Sequence, residues 1–262
     1  MSKASMANFT VNGCWLEEPV IKFASSGDVK GTVSQLKEEL GQIVVDLDRS
    51  TTYHLKKSQL LKPVGIVRKV LDDIAAHPST LFATVQSFYT HQTSMLISSL
   101  EAALLSALLT ETNGEKSKES LQIVAMGGLL HEIGIAQLTF DPFADVKVFN
   151  GEQRVEFMQH PISGYNILRN LPGISPEALL IVLQHHEWTN GHGFPYMLKN
   201  IYPLAKIVSI VAEFVYRTHT HLAHPGFKAD DAISMVCSDT GKFSPELSLT
   251  LKKLILGAEK GT

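Results

Sequence analysis

Leu121 to Leu130, read as Leu-Gln-Ile-Val-Ala-Met-Gly-Gly-Leu-Leu, is apolar at nearly every position and runs directly into His131-Glu132-Ile133-Gly134. An element apolar on all sides is a buried helix rather than a surface one. This helix therefore delivers a histidine and a carboxylate into the core at its end. A charged group in that position needs a compensating partner, and a metal ion is one such partner.

Outward from this run the pattern stays helical. Upstream, Met95, Leu96, Leu100, Leu104 and Leu108 fall on one stripe of a long helix over about Ser79 to Leu109. Thr112 to Ser120, with Asn113-Gly114, reads as a loop. Downstream, Thr139 to Gly151 is a loop, and Val155 to Leu171 is a helix broken or capped near His160-Pro161. Helices follow over Pro176 to His186 and Pro203 to Arg217, on either side of a Gly/Pro-rich loop from Thr189 to Tyr202. Asp230 to Cys237 and Pro245 to Leu256 close the chain. With no alternation of strands and helices, the fold class is all-α. Two further helical runs lie nearer the N-terminus, around Leu36 to Leu47 and Ile66 to Ile74, and Phe9 to Phe23 reads as short strands or irregular chain. The expected division is a small, mostly helical N-terminal module over 1–80 and a helical bundle over 81–262.

Of the 262 residues, 44% are hydrophobic and 19% charged, enough apolar material for a packed core. A formal net charge of −3 offers no basic surface for duplex DNA or RNA or for an anionic membrane. No stretch approaches the roughly 18 uninterrupted apolar residues of a spanning helix. Cys14 and Cys237 are too far apart in sequence to form a thiolate motif, which implies a reduced, cytoplasmic setting. Histidine is the unusual count: of 11 in the chain, seven lie between His160 and His224.

His131-Glu132, His160, His185-His186-Glu187 and Glu213, with His91 upstream, form a set of nitrogen and oxygen donors without sulfur. Such a set suits iron or manganese, with zinc or nickel also accepted, rather than a thiolate-bound structural zinc. Bundles build metal sites from inward-facing side chains of separate helices, which is the placement these residues have. Singly, each has a plainer reading: His91 as a satisfied core histidine, His160-Pro161 as a helix break, and His185-His186 as a polar helix end.

Together, these residues resemble the HD superfamily and its HD-GYP family. Gly128 to Gly134 resembles the signature "GLLHDIGK", and His160-Pro161-Ile162-Ser163-Gly164 matches "HPxxG". His185 to Pro195 resembles "HHExxDGxGYP", and Pro203 to Glu213 resembles "PLxARIxAVAD". Gly241 to Leu247 resembles "GxxFDPxL", and His91 lies about 40 residues before the HD-like pair, where the first ligand histidine falls. The match runs from about Thr84 to Leu256.

The resemblance implies an HD-type helical bundle that hydrolyses the bacterial messenger cyclic-di-GMP. It implies metal ligands at His91, His131, Glu132, His160, His185, His186 and Glu213, with Glu132 shared between two ions and thus part of the catalytic centre. Two cations about 3.5–4 Å apart screen a phosphodiester's charge and hold a bridging hydroxide in line with the phosphorus. Gly191, Gly193, Phe194 and Pro195 are the implied substrate-binding loop, with Lys199 and Arg217 as candidate phosphate contacts. The implied partner is a cyclic dinucleotide, alongside other signalling proteins, and residues 1–80 leave room for a signal input or a homodimer surface.

Several positions depart from the family pattern. Glutamate replaces aspartate at Glu132 and Glu213, Ile135 replaces the lysine after HDIG, Phe194 the tyrosine of GYP, and Asn190 the preceding aspartate. Thr220 to His224 stands in place of "RPY", and Ser87 in place of the extra glutamate of trinuclear members, which favours two metals over three. A shifted register of the helix from Pro203 puts Ala212, not Glu213, at the last ligand position. Retained ligands point to an active dinuclear phosphodiesterase. The altered positions point to a catalytically degenerate domain that binds a cyclic dinucleotide or a signalling partner.

Overall fold

A computed structural model describes residues 95–140, 149–171, 173–219 and 225–258. The expectations for residues 1–80 and for His91, and the segment Thr220 to His224, lie outside these described residues.

Among the described residues the chain is helical throughout, with no strand. The order is α1 (Met95–Thr112), α2 (Lys118–Leu130), a 3-10 turn (Ile133–Gln137), α3 (Gly151–Met158), α4 (His160–Leu168), α5 (Pro176–Gln184), α6 (Pro203–Thr218), α7 (Ala229–Ser238) and α8 (Pro245–Ala258). Starts and stops follow local chemistry. The Ser117 side chain accepts from Ser120 N to cap α2, and Ser175 does the same for α5 ahead of Pro176. Asn150 and Gln153 form a reciprocal capping box at α3. The expected helix over Val155 to Leu171 is divided at Gln159, so that His160-Pro161 opens α4 with proline in the first turn. The helix expected from Leu121 starts earlier, at Lys118, because the Ser117 cap sets its N-terminus.

α2 lies at the centre, packed on α1, α5 and α6, and α1 also packs on α6. Leu100, Leu104 and Leu105 of α1 meet Val124 and Leu129 of α2, with Ile181 and Val182 of α5 and Val208, Val211 and Phe214 of α6, all fully or nearly fully buried. Burying each large aliphatic or aromatic side chain contributes about 1.5–3 kcal/mol. This core fixes the ends of α2, α5 and α6 relative to one another. Among the described residues, no helix is long and apolar enough to cross a membrane.

Glycine lets the 3-10 turn press onto α4. A Cβ on Gly134 would stand 1.9 Å from the His160 carbonyl oxygen and 2.6 Å from Gly164 N. Backbone fills the space that any side chain needs, so only glycine allows Glu132, two residues earlier, to come up against His160.

Candidate metal centre

Three histidines stand at helix ends, each using a main-chain carbonyl of the preceding last turn. His131 Nδ1 donates to Gly128 O at 2.7 Å, His160 Nδ1 to Phe157 O at 2.7 Å, and His185 Nδ1 to Val182 O at 2.8 Å. Helix C-termini leave such carbonyls without intrahelical donors. A carbonyl only accepts, so each Nδ1 carries the proton and each Nε2 keeps its lone pair toward the centre. The same fixing of tautomer and ring angle supports histidine ligands in metal sites.

The free nitrogens converge with a carboxylate. His160 Nε2 lies 3.2 Å from His185 Nε2 and 3.0 Å from Glu132 Oε2, while Glu132 Oε1 is 3.8 Å from His131 Nε2. Donor atoms of Glu132, His160, His185 and His186 all lie within 4.8 Å of one another. His186 Nε2 is buried and has no hydrogen-bond partner. A buried ring nitrogen without a partner beside three more donor atoms is costly in an apolar interior, and with the ring proton on Nδ1 it is satisfied by a cation. Imidazole nitrogen and carboxylate oxygen without thiolate are donors that fit a divalent first-row ion.

Charge states agree with that fit. Burial pushes His185 and His186 well below the ordinary histidine range, and neighbouring imidazoles push the same way. Burial also lowers His131, against the raising influence of Glu132. Burial by itself raises the Glu132 carboxyl, but the imidazoles of His160, His131 and His185 outweigh it and hold the group well below the usual carboxylate range. Low proton affinity at the imidazoles and at the carboxylate favours a metal ion over protons at this centre.

The loop after His185-His186 is clamped from within. Buried Glu187 accepts from Tyr196 N at 2.7 Å and Leu198 N at 2.8 Å, and Phe194 N donates to His186 O at 3.0 Å. The Phe194 ring stacks on His186, with centroids 4.3 Å apart and planes 25° apart. A Cβ on Gly193 would meet His186 O and Trp188 N at 2.4 Å. The close approach that glycine allows here is thus to the loop's own backbone.

The donors open into a cavity of about 300 Å³. Helix α1 contributes Ser98, Ser99 and Ala102 to it, none of them a strong metal ligand. Of the six residues expected to bind substrate, Phe194 lines the cavity, whereas Gly191, Gly193, Pro195, Lys199 and Arg217 are not among its lining residues. Lys199 is exposed, and its stem packs over Gly191. Arg217 is paired with Glu213 at 2.7 Å and Asp239 at 3.0 Å. Glu213 and Ala212 both line the cavity, and the Glu213 carboxylate is engaged by Lys242 Nζ at 2.5 Å as well as by Arg217. His131 adjoins the four-donor group through Glu132. Sequence reasoning missed Lys242 and the aromatic walls Phe157, Trp188 and Tyr216. The sole signal for Lys242 was its place inside the Gly241 to Leu247 motif.

The HD domain family model matches residues 69–247, more than half of the chain. The chain belongs to the HD domain family. It is 24% identical over 198 residues to the cyclic di-GMP phosphodiesterase PA4108 of Pseudomonas aeruginosa, a match covering 72% of this chain and 46% of that relative. The chain thus spans about half the length of that relative. Its fold is similar to that of Bd1817, an HDG"Y"P protein from Bdellovibrio bacteriovorus, with a TM-score of 0.71, 18% identity, and coverage of 90% of this chain and 76% of that one.

Proposed function

We propose that the chain is a metal-dependent phosphodiesterase acting on cyclic-di-GMP or a closely related cyclic dinucleotide. The observation that carries this reading is the convergence of Glu132, His160, His185 and His186, of which Glu132, His185 and His186 line a cavity that also has aromatic walls. Glu132 turns one oxygen toward His160 and the other toward His131, which supports two ion positions sharing that carboxylate. Bound divalent ions would screen the phosphodiester's charge and make water nucleophilic at neutral pH. The chain's own residues hold the geometry: the last-turn carbonyls orient the imidazoles, and the Glu187 clamp fixes the loop that carries Phe194 over His186.

One observation favours a second reading, a catalytically degenerate module that binds the dinucleotide without cleaving it. The Glu213 carboxylate, expected as a metal ligand, is neutralised by Lys242 and Arg217. Metal content by mass spectrometry on anaerobically purified protein, followed by a cyclic-di-GMP hydrolysis assay, decides between them. About two iron or manganese ions per chain, lost in His185→Ala together with hydrolysis, supports the enzyme. A metal-loaded chain that binds the dinucleotide but leaves it intact supports the module.

A further inference from the structure

Among the described residues that line the cavity, Lys242 is the one lysine or arginine. Its Nζ lies 2.5 Å from Glu213 Oε2, 5.0 Å from the centroid of Trp188 and 5.3 Å from that of Phe243. The backbone around it is tied to the metal-centre loop: Thr189 N donates to Lys242 O at 3.1 Å and Asn190 N to Gly241 O at 3.0 Å. The position of Lys242 is therefore set by the segment that follows His185-His186. Trp188 Nε1, in a ring beneath the ammonium, is buried without a hydrogen-bond partner. A half-buried ammonium next to a donor that lacks an acceptor is an arrangement that awaits an anion.

Glu213 does not need Lys242 to stay paired. Arg217 holds its other oxygen at 2.7 Å from the next helical turn. The carboxylate therefore keeps one cation when the other leaves, and the exchange exposes no unpaired buried charge. Phe157, Trp188, Phe194 and Tyr216 line the same cavity and offer aromatic faces to a planar ring.

Resting on the reading of this cavity as a phosphodiester site, we propose that Lys242 is its phosphate-binding residue. It is parked on Glu213 when the cavity is free and transferred to a phosphate oxygen of a nucleotide whose base lies against the aromatic wall, with Arg217 retaining Glu213. No covalent step is involved. Lys199 and Arg217, the other cations considered for this part, lie off the cavity wall.

The test is calorimetric binding of cyclic-di-GMP to the full chain, with metal content measured on every sample. The variants are Lys242→Ala, Lys242→Arg, Glu213→Gln and, as an off-site control, Lys199→Ala. A hydrogen bond to a charged group is worth enough that Lys242→Ala is expected to weaken binding at least about tenfold and flatten its salt dependence. Lys242→Arg restores part of the affinity, Lys199→Ala matches wild type, and metal content stays level in both Lys242 variants. Glu213→Gln frees Lys242 and removes a negative charge from the cavity wall, tightening binding several-fold, and most of that gain is lost when Lys242→Ala is added, an outcome that a merely structural lysine would not give. Wild-type affinity and salt dependence in Lys242→Ala overturn the proposal. Should the wild type bind metal but no cyclic-di-GMP, the substrate reading fails, and inorganic phosphate on the same variants decides the matter. Phosphate binding lost in Lys242→Ala then upholds the role of Lys242, and equal or absent phosphate binding in wild type and variant overturns it.

Discussion

His160 Nε2 and His185 Nε2 stand 3.2 Å apart although each ring has already given its Nδ1 proton to a main-chain carbonyl. Two neutral rings in that arrangement direct lone pairs at one another, and only a shared proton or a metal ion relieves the repulsion. Burial and the neighbouring imidazoles oppose protonation of His185, which leaves a metal as the better solution. Metal binding to the folded chain alone stabilises it by mass action, about 2.7 kcal/mol at a hundredfold excess over Kd. Chelation is therefore expected to lower the Tm by roughly 5–10 °C for a domain of this size. His160→Ala should melt at the same temperature with and without chelator. A chelator-insensitive wild type, checked by differential scanning fluorimetry, would show that no ion rests between these rings.

Gly193 and Gly191 give opposite kinds of constraint. A Cβ at Gly193 collides with His186 O, Trp188 N and the Glu187 Cα at 2.4–2.5 Å, all atoms of the main chain that carries the metal-centre histidines. At Gly191 the φ is +76° and the nearest atom is a flexible one, the Lys199 Cγ at 3.1 Å. Gly191→Ala is expected to cost about 1–2 kcal/mol for the left-handed backbone and to leave metal content near wild type. Gly193→Ala must shift the backbone of His186 and should reduce metal occupancy more than tenfold at limiting metal. Equal metal content in the two variants, by mass spectrometry, would refute this division.

Glu187 holds the loop by two charge-assisted bonds to Tyr196 N and Leu198 N. It is 1% exposed, so truncation leaves two buried donors without acceptors. Glu187→Ala is expected to destabilise the fold by about 2–4 kcal/mol, since each abandoned partner costs about 1–3 kcal/mol. Glu187→Gln keeps a single acceptor oxygen and should lie between the two in urea unfolding. A Glu187→Ala variant as stable as wild type but devoid of metal would instead make Glu187 a ligand.

The helical class was legible because apolar periodicity acts locally, and the start at Pro176 is retained, whereas the Ser117 and Asn150-Gln153 caps start two helices earlier than periodicity places them. The cluster of Glu132, His160, His185 and His186 was legible because its residues sit inside ordered motifs. What the motifs did not convey was direction. Gly191 and Gly193 carry the composition of a ligand-cradling loop, yet Gly193 serves a contact within its own loop. Whether a cation such as Lys199, Arg217 or Lys242 reaches the cavity depends on tertiary packing between α6, the loop after α5 and the turn before α8, which no local pattern encodes. The Glu101–His219 pair, 118 residues apart in sequence, was invisible for the same reason.

That pair joins α1 to the residue after α6 in the core. Glu101 Oε2 and His219 Nε2 are 2.6 Å apart, Glu101 is fully buried, and its Oε1 has no partner. Ser98 Oγ lies 3.3 Å from His219 Nδ1 and completes the chain of contacts. Burial raises the Glu101 carboxyl above the ordinary range, and the His219 contact offsets this only in part. The folded chain therefore keeps this proton at pH values where the unfolded chain has released it. The associated stability is full below the ordinary carboxylate range and is lost as pH rises through the elevated folded value. Glu101→Gln has a similar shape and no proton to lose, so the advantage of wild type over this variant is expected to shrink steadily from about pH 4.5 upward. Glu101→Ala, which leaves His219 without its partner, should cost about 1–3 kcal/mol. Urea unfolding across pH 4–8 checks the sign: an advantage that grows with pH means that Glu101 is held as a carboxylate by His219 and that the pair is a true buried ion pair.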